Sequence, residues 1–186
     1  GADAIENTAN CYIISAPGKY RIPLVYGNAI KRGATNTSAY TSTASATHLP
    51  KPGGGYYSED LILHTFVDHN DDPITSPYIN IQNASDQATS AKVIWEDCQN
   101  IVTAPAVTGS GADSYLTFTI KKENLQNGNA VVAVTNATGK VMWSWHLWFT
   151  PKSSLKKIAV TSDGAEYKFM TDNLGWKYTK WTGGLK

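Results

Sequence analysis

Charged residues are scarce in this sequence of 186 residues, where Asp, Glu, Lys and Arg make up 17% of the chain. Soluble domains average roughly 25%. The 16 basic and 15 acidic residues leave a formal net charge of +1. Affinity for nucleic acid or for an anionic membrane surface depends on a clear excess of positive charge. The composition therefore predicts neither of these partners.

Long apolar runs are also missing, since no stretch approaches the roughly 18 residues that a membrane helix requires. The first ten residues, GADAIENTAN, lack the basic and apolar regions of a signal peptide. We expect the chain to be the soluble, mature form of an exported protein whose targeting segment and lipid anchor have been removed. The membrane would then be a partner only through that removed anchor.

Cysteine is limited to Cys11 and Cys98, which are too few for a disulfide framework or a cysteine-based zinc site. Two interpretations of the pair stay open. A bridge between them would close a long loop and stabilise the fold by roughly 4 to 5 kcal/mol in the chain-entropy model. Alternatively, each is a small, partly apolar core residue. Neither is predicted to be catalytic.

Catalytic and metal-binding signatures are weak. The chain has no Gly-x-Ser-x-Gly or HExxH motif. Asp68, Asn70 and Asp72 have the spacing of the first half of a calcium loop, but Pro73 stands where that loop needs glycine. We therefore interpret the segment as a polar turn, and His146 as a structural imidazole within a Trp-rich strand. The prediction is a protein that is not an enzyme and has no cofactor and no metal.

What the sequence does contain is a series of short β-branched and aromatic runs separated by Gly, Pro and Asn. No apolar stripe of helical period lasts three turns. The pattern predicts an all-β fold, an Ig-like antiparallel β-sandwich. The predicted strands are residues 11–15, 20–26, 61–67, 78–81, 91–96, 115–120, 130–135, 141–149, 158–161 and 167–170.

The clearest hairpin joins residues 130–135 to residues 141–149 through a four-residue connection that contains Asn136 and Gly139. Alternation along the second strand predicts one wholly apolar face and one mixed face. A strand of this kind belongs in the middle of a sheet. The apolar face consists of Trp143, Trp145, Leu147 and Phe149.

The domain organisation follows from changes in composition. Residues 1–151 are predicted to form the sandwich domain, and residues 152–186 a linker and C-terminal extension. The extension would either pack on the sandwich or be the truncated start of a further module. Residues 33–55 are small and polar almost throughout, so they are predicted to form a mobile surface loop.

The sequence contains six Trp and ten Tyr residues, which support two uses. Trp95, Trp143, Trp145 and Trp148 lie in apolar strands and are predicted to be core residues. Aromatic residues beside Gly-rich or polar stretches are candidates for an exposed platform on which sugar rings could stack. These candidates are Tyr56, Tyr57, Trp176, Tyr178 and Trp181.

Several motifs together resemble a known group of proteins. They are NCYIIS at residues 10–15, APGKY at 16–20, PLVYGN at 23–28, GNA at 128–130, WSWHLW at 143–148 and FMTDNLG at 169–175. The set resembles a module in surface proteins of Bacteroides-type gut bacteria, found in fimbrillin-like and other adhesin-type lipoproteins. The resemblance implies no catalytic residues. It implies a location on the extracellular face of the outer membrane.

Two functions are therefore expected. The first is a non-enzymatic, secreted cell-surface module for cell adhesion or fimbria-like assembly, with other surface or pilus subunits as partners. The alternative is a carbohydrate-binding module of a polysaccharide-uptake system, with glycans as partners.

Overall fold

The computed structural model describes residues 6–41, 50–56, 66–150 and 157–177. Their helical structure comprises α1 (Ser38–Thr41), α2 (Ile79–Gln82) and 3₁₀ turns at Gly111–Asp113 and Lys122–Asn124. None of the described helices has the length and apolar character needed to cross a membrane. The strands are β1 (Cys11–Ile14), β2 (Gly18–Pro23), β3 (Ile30–Lys31), β4 (Ala34–Thr35), β5 (Ser90–Glu96), β6 (Thr103–Thr108), β7 (Tyr115–Ile120), β8 (Gly128–Thr135), β9 (Val141–Phe149), β10 (Lys157–Ser162) and β11 (Ala165–Met170).

Two larger sheets form the body of the protein. One has four strands in the order β1-β9-β8-β5, and the other has three strands in the order β2-β7-β6. All neighbouring strands in these sheets are antiparallel except β1 and β9, which run parallel. The pairs β3-β4 and β10-β11 form separate two-stranded sheets. The prediction of an all-β chain built from antiparallel sheets is confirmed at this level.

Both larger sheets contribute to a single hydrophobic core. Every second residue of β7 is buried, because successive side chains of a strand point to opposite faces. The same alternation directs one face of β8 and one face of β9 into the core. The main contributors are Ile22, Leu116, Phe118, Ile120, Val132, Val134, Trp145, Leu147 and Phe149.

The β8–β9 hairpin has the predicted form, and β9 lies inside its sheet between β1 and β8. The Asn136 side-chain oxygen closes the connection by accepting hydrogen bonds from the backbone N–H groups of Thr138 and Lys140. Gly139 has a φ of 84°, a conformation that favours glycine. The turn chemistry visible in the sequence therefore produces the hairpin.

One strand prediction is wrong, and one strand of the larger sheets was not predicted. Residues 78–81 are not a strand, because Tyr78 forms only an isolated bridge with Val25 and α2 begins at Ile79. Tertiary contacts override the β propensity of the isoleucines. Ile79 is fully buried, and the Asn80 side chain accepts a hydrogen bond from the Ala88 backbone at 2.8 Å. The β6 strand was not predicted. It lies at an edge of its sheet, and its register shifts between Thr103 and Ala106, around Pro105. A proline argues against a strand when only the sequence is read.

The prediction of a mobile loop over residues 33–55 is wrong for its first part. Ala34 pairs with Lys31 in the β3-β4 sheet. Tyr40, on α1, is buried in the core. This single large side chain anchors a segment whose other residues are small and polar. Residues 42–49 of the predicted loop and residues 57–65, with most of the predicted strand 61–67, lie outside the described residues.

Candidate functional site

A hydrogen-bonded network lies on the outer face of the four-stranded sheet. The parallel register of β1 and β9 places Cys11 opposite His146. The Cys11 Sγ atom is 3.2 Å from His146 Nδ1, and His146 Nε2 is 2.8 Å from the Asn129 Oδ1 atom of β8. The Asn129 amide also donates to Asp97 Oδ2 at 2.9 Å. We call Cys11, His146, Asn129 and Asp97 the Cys11–His146 network.

The C-terminal segment 173–177 returns to the sheet and joins this network. The Asn129 Nδ2 atom donates to the Gly175 carbonyl at 3.0 Å. The buried Trp148 donates its indole N–H to the Trp176 carbonyl at 3.0 Å. Lys177 Nζ lies 3.9 Å from Asp97 Oδ1. The network therefore links β1, β9 and β8 to the extension beyond residue 152.

Glycine is required where the segment crosses the network. Gly175 has a φ of 80°, which lies in the left-handed region. A Cβ atom at this position would lie 3.2 Å from Asn129 Oδ1 and 3.3 Å from the His146 ring. Both the conformation and the close approach explain why a glycine stands at residue 175.

The protonation of the network follows from its burial. Burial raises the pKa of the Cys11 thiol. Burial also lowers the pKa of His146, and the charge of Asp97 offsets only part of that effect. A neutral pair satisfies each contact if the thiol donates to Nδ1 and Nε2–H donates to Asn129 Oδ1.

The arrangement of thiol, imidazole and amide matches that of cysteine hydrolases, in which histidine takes the proton of the nucleophile. In those enzymes a lowered thiol pKa activates the nucleophile. Here burial acts in the opposite direction. The geometry thus offers a base to the thiol, while burial raises the thiol pKa and disfavours the thiolate form.

We expect the Cys11 thiol to react slowly. In a Cys98→Ala variant at pH 7.5, alkylation by iodoacetamide should be several-fold slower in the folded protein than in the same chain unfolded in urea. Each unit by which the pKa is raised lowers the thiolate fraction about tenfold. Mass spectrometry of the modified chain over time measures the rate. Faster alkylation in the folded state would contradict this and indicate an activated, enzyme-like thiol.

The network should also make the fold sensitive to mild acid. His146 has a folded-state pKa below that of the unfolded chain, so the unfolded state binds a proton first as the pH falls. The stability that depends on neutral His146 is therefore present above about pH 6.5 and is lost as the pH falls through the folded pKa. Urea unfolding at pH 7.5 and pH 5.5 should show a smaller acid-induced loss for His146→Gln than for the wild type. An equal loss in the two proteins would contradict the assignment.

The two cysteines are free thiols, so the bridge considered from the sequence is not formed. The sheet order explains why. Strands β1 and β5 are the two outer strands, with β9 and β8 between them. Three strand spacings amount to roughly 14 Å, whereas disulfides need Cα atoms within about 7 Å. Cys98 instead lies 3.6 Å from Lys177 Nζ.

A second candidate site is a small cavity beside the β1 end of the same sheet. Its volume is 180 Å³. Residues far apart in the sequence form its wall, and four of them are aromatic. The lining residues are Asn10, Tyr26, Gly27, Asn28, Ala39, Tyr40, Phe66, Val67, Ile74 and Trp143. We call it the Tyr26–Trp143 cavity.

The structure describes two of the five residues predicted to form an aromatic platform. Tyr56 is 58% exposed and Trp176 is 50% exposed. Trp176 lies on the segment that covers the four-stranded sheet, and Tyr56 forms an isolated bridge with Pro50. Tyr57, Tyr178 and Trp181 lie outside the described residues.

The predictions for the strand tryptophans need one correction. Trp145 and Trp148 are each 1% exposed, and Trp143 packs against the core. Trp95, however, is 51% exposed. It lies just after a register shift in the outer strand β5 and pairs with Val131, whose side chain is on the outer face. A bulge at a sheet edge therefore turned a predicted core residue outward.

The Asp68 segment is a polar turn. The Asp68 carboxylate accepts hydrogen bonds from the backbone N–H groups of Asn70 and Asp72 and from the Gln82 side chain. These hydrogen bonds outweigh the effect of burial, which alone would raise the pKa of Asp68, so that pKa is lowered. Within the described residues, no three His, Cys, Asp or Glu side chains are grouped to hold a metal ion.

Comparisons of the chain with protein-family models, with curated proteins and with solved structures find no match.

Proposed function

We propose that the two larger sheets form a sandwich of Ig-like topology. In an immunoglobulin constant-type domain the strands D, E and B lie on one sheet and C, F and G on the other. If β2, β5, β6, β7, β8 and β9 are B to G, the observed orders β2-β7-β6 and β9-β8-β5 match this scheme. The first strand departs from it, because β1 joins the second sheet in parallel with β9. Relative to this scheme, residues 24–89 between β2 and β5 form a long insertion between strands B and C.

We propose that the chain is a non-enzymatic module at the bacterial cell surface, on the extracellular face of the outer membrane, where it contributes to adhesion or fimbria-like assembly. The resemblance to fimbrillin-like lipoproteins supports this location. Three of the segments on which that resemblance rests supply Cys11, Asn129 and His146 to the network, and a fourth supplies Gly175. Those motifs thus serve to connect the C-terminal extension to the β-sheet body.

The observation that carries the proposal is the exposed apolar face of the β10–β11 hairpin. Ile158 pairs with Phe169, and Val160 pairs with Tyr167, so the four side chains share one face. Each of them is between 45% and 57% exposed. A two-stranded hairpin is at best marginally stable alone in water. A protein surface that covers this face would bury apolar area and stabilise the hairpin.

The test is cross-linking on intact cells of the native organism. The variant Tyr167→Ser with Phe169→Ser should lose the adducts that the wild type forms with other surface proteins. The matched control, Glu166→Gln with Lys168→Ser, alters the opposite face of the same strand, where these two residues form an ion pair at 2.9 Å. It should retain the adducts. Equal cross-linking by both variants, or recovery of the protein from cytosol alone, would refute the proposal.

The second candidate function is that of a carbohydrate-binding module in polysaccharide uptake. It is favoured by the exposed rings of Tyr56 and Trp176 and by the aromatic wall of the Tyr26–Trp143 cavity. Aromatic faces provide apolar platforms for the C–H faces of sugar rings. A glycan array with the wild type and a variant that carries Trp176→Ala and Trp181→Ala tests the exposed platform. Unchanged glycan binding by the variant would exclude that platform.

A further inference from the structure

The Tyr26–Trp143 cavity has a rigid aromatic wall. The rings of Tyr26 and Trp143 meet edge to face, with centroids 5.1 Å apart and planes at 89°. The Tyr26 hydroxyl accepts a hydrogen bond from the buried Asn83 side chain at 3.0 Å. Burial raises the pKa of Tyr26 to about 12, so its hydroxyl stays neutral at physiological pH. Tyr40 is also buried, whereas Phe66 is half exposed at the mouth of the cavity.

Two carboxamides at the rim are available to a ligand. The Asn10 Oδ1 atom accepts a hydrogen bond from Trp143 Nε1 at 3.2 Å, which fixes the orientation of the amide. Its Nδ2 group has no hydrogen-bond partner among the described residues. The side-chain amide of Asn28 likewise makes no hydrogen bond within the described part of the chain, although its backbone carbonyl binds the Asn36 side chain.

The backbone at Gly27 leaves room for the Asn10 amide. Gly27 has a φ of 48°, and a Cβ atom there would lie 3.2 Å from Asn10 Nδ2. A larger residue would displace that donor from the rim. None of the ten lining residues is Asp, Glu, Lys, Arg or His. The described wall of the cavity therefore combines apolar rings with amide donors and acceptors, and it includes no charged side chain that could hold an ionic group.

We propose that the Tyr26–Trp143 cavity binds a single neutral sugar residue, either free or at the end of a glycan. A sugar ring has apolar C–H faces that can lie against the aromatic wall, and hydroxyl groups that can both donate to and accept from Asn10 and Asn28. Pockets for drug-sized ligands have volumes of roughly 300 to 1,000 Å³. A cavity of 180 Å³ therefore suits one ring.

A proline-rich peptide is a less suitable occupant. Such a peptide is extended by about 3.1 Å per residue and binds along an aromatic-lined groove. The Tyr26–Trp143 cavity is compact, with its four aromatic side chains around one small space. The inference rests on the carbohydrate-binding candidate and is independent of the assembly proposed for the β10–β11 hairpin.

Saturation-transfer NMR and isothermal titration with neutral monosaccharides test the proposal, with glucose, galactose, mannose and N-acetylglucosamine as probes and glucuronic acid as the charged comparison. The wild type should bind at least one neutral sugar and bind glucuronic acid more weakly. Asn28→Ala and Phe66→Ala should each weaken binding about tenfold, a loss typical of a missing hydrogen bond or stacked ring. Both positions are exposed, and thermal unfolding verifies that the variants fold.

The matched control is Trp95→Ala, which removes a half-exposed ring outside the cavity and should leave binding unchanged. Binding lost in Tyr56→Ala or Trp176→Ala, the variants of the exposed platform, but kept in the cavity variants would overturn the cavity assignment while supporting the carbohydrate-binding function. If the wild type bound none of the sugars at millimolar concentration, the cavity assignment and the carbohydrate-binding function would both be refuted. The proposal for the β10–β11 hairpin would be unaffected. Binding of a proline-rich peptide that the cavity variants abolish, without sugar binding, would also overturn the proposal.

Discussion

Replacing Trp145 with alanine is expected to lower the free energy of unfolding by about 3 to 5 kcal/mol, the range observed when a buried aromatic residue is truncated in a rigid core. Trp145 is 1% exposed and lies among the core residues that β8, β9 and the three-stranded sheet contribute. Its neighbours belong to strands held by hydrogen bonds on both sides, so they cannot collapse into the cavity. Urea unfolding followed by circular dichroism measures the change.

Trp95→Ala is the matched control, because it makes the same substitution at a side chain that is 51% exposed. Its cost should stay below about 1 kcal/mol. Trp145→Phe should lower the free energy of unfolding by less than Trp145→Ala does. The buried Trp145 Nε1 atom has no hydrogen-bond partner in the described structure, and phenylalanine removes this unsatisfied group. Similar losses for Trp95→Ala and Trp145→Ala would contradict the position of the core.

Replacing Asn129 with alanine is expected to cost about 2 to 4 kcal/mol, because a buried group would lose several partners at once. Its side chain binds His146 Nε2, Asp97 Oδ2 and the Gly175 carbonyl. The variant removes all three side-chain contacts, and only Asp97 Oδ2 keeps a hydrogen bond from residue 129, through its backbone N–H at 2.8 Å. It should also release segment 173–177 from the sheet, so that the Trp148 indole N–H loses protection from hydrogen exchange.

Asn127→Ala is the control for this prediction, since Asn127 is exposed and lies two residues away on the same segment. It should change stability by less than about 0.5 kcal/mol. Urea unfolding gives the energies, and exchange of the indole proton followed by NMR reports the docking. A protected Trp148 indole in Asn129→Ala would show that other contacts hold the segment.

The parts of the fold that the sequence predicts are those decided by neighbouring residues. Strand β7 alternates buried and partly exposed side chains over its whole length, and β9 carries a continuous apolar face, so the bounds of both match the prediction. The Asn136–Gly139 turn is similarly local. Helix α2 depends on distant partners, such as the contact of Asn80 with Ala88, and its own residues favour a strand. Strand β6 depends on pairing with β7, and its proline disfavours a strand prediction.

The candidate sites were less predictable for the same reason. Cys11 and His146 are 135 residues apart, and only the parallel register of β1 with β9 brings them together. The sequence predicts a structural role for His146 but does not identify its partners. The walls of the Tyr26–Trp143 cavity come from six separate segments, and no periodic pattern connects them. Asn10, Tyr26 and Trp143 do lie within the motifs that resemble fimbrillin-like proteins, and those motifs were the available signal.

The parallel pairing of β1 with β9 also determines how the protein responds to mechanical force. A load applied through the chain before β1 and after β9 pulls two adjacent parallel strands in opposite directions along their length. The hydrogen bonds between the two strands, which lie along the paired residues from Cys11 with His146 to Ile14 with Phe149, are then loaded together in shear. In an antiparallel pair pulled from one end they would break one after another. Single-molecule stretching should therefore show a high rupture force that falls when Tyr12→Pro removes a β1 backbone donor that faces β9.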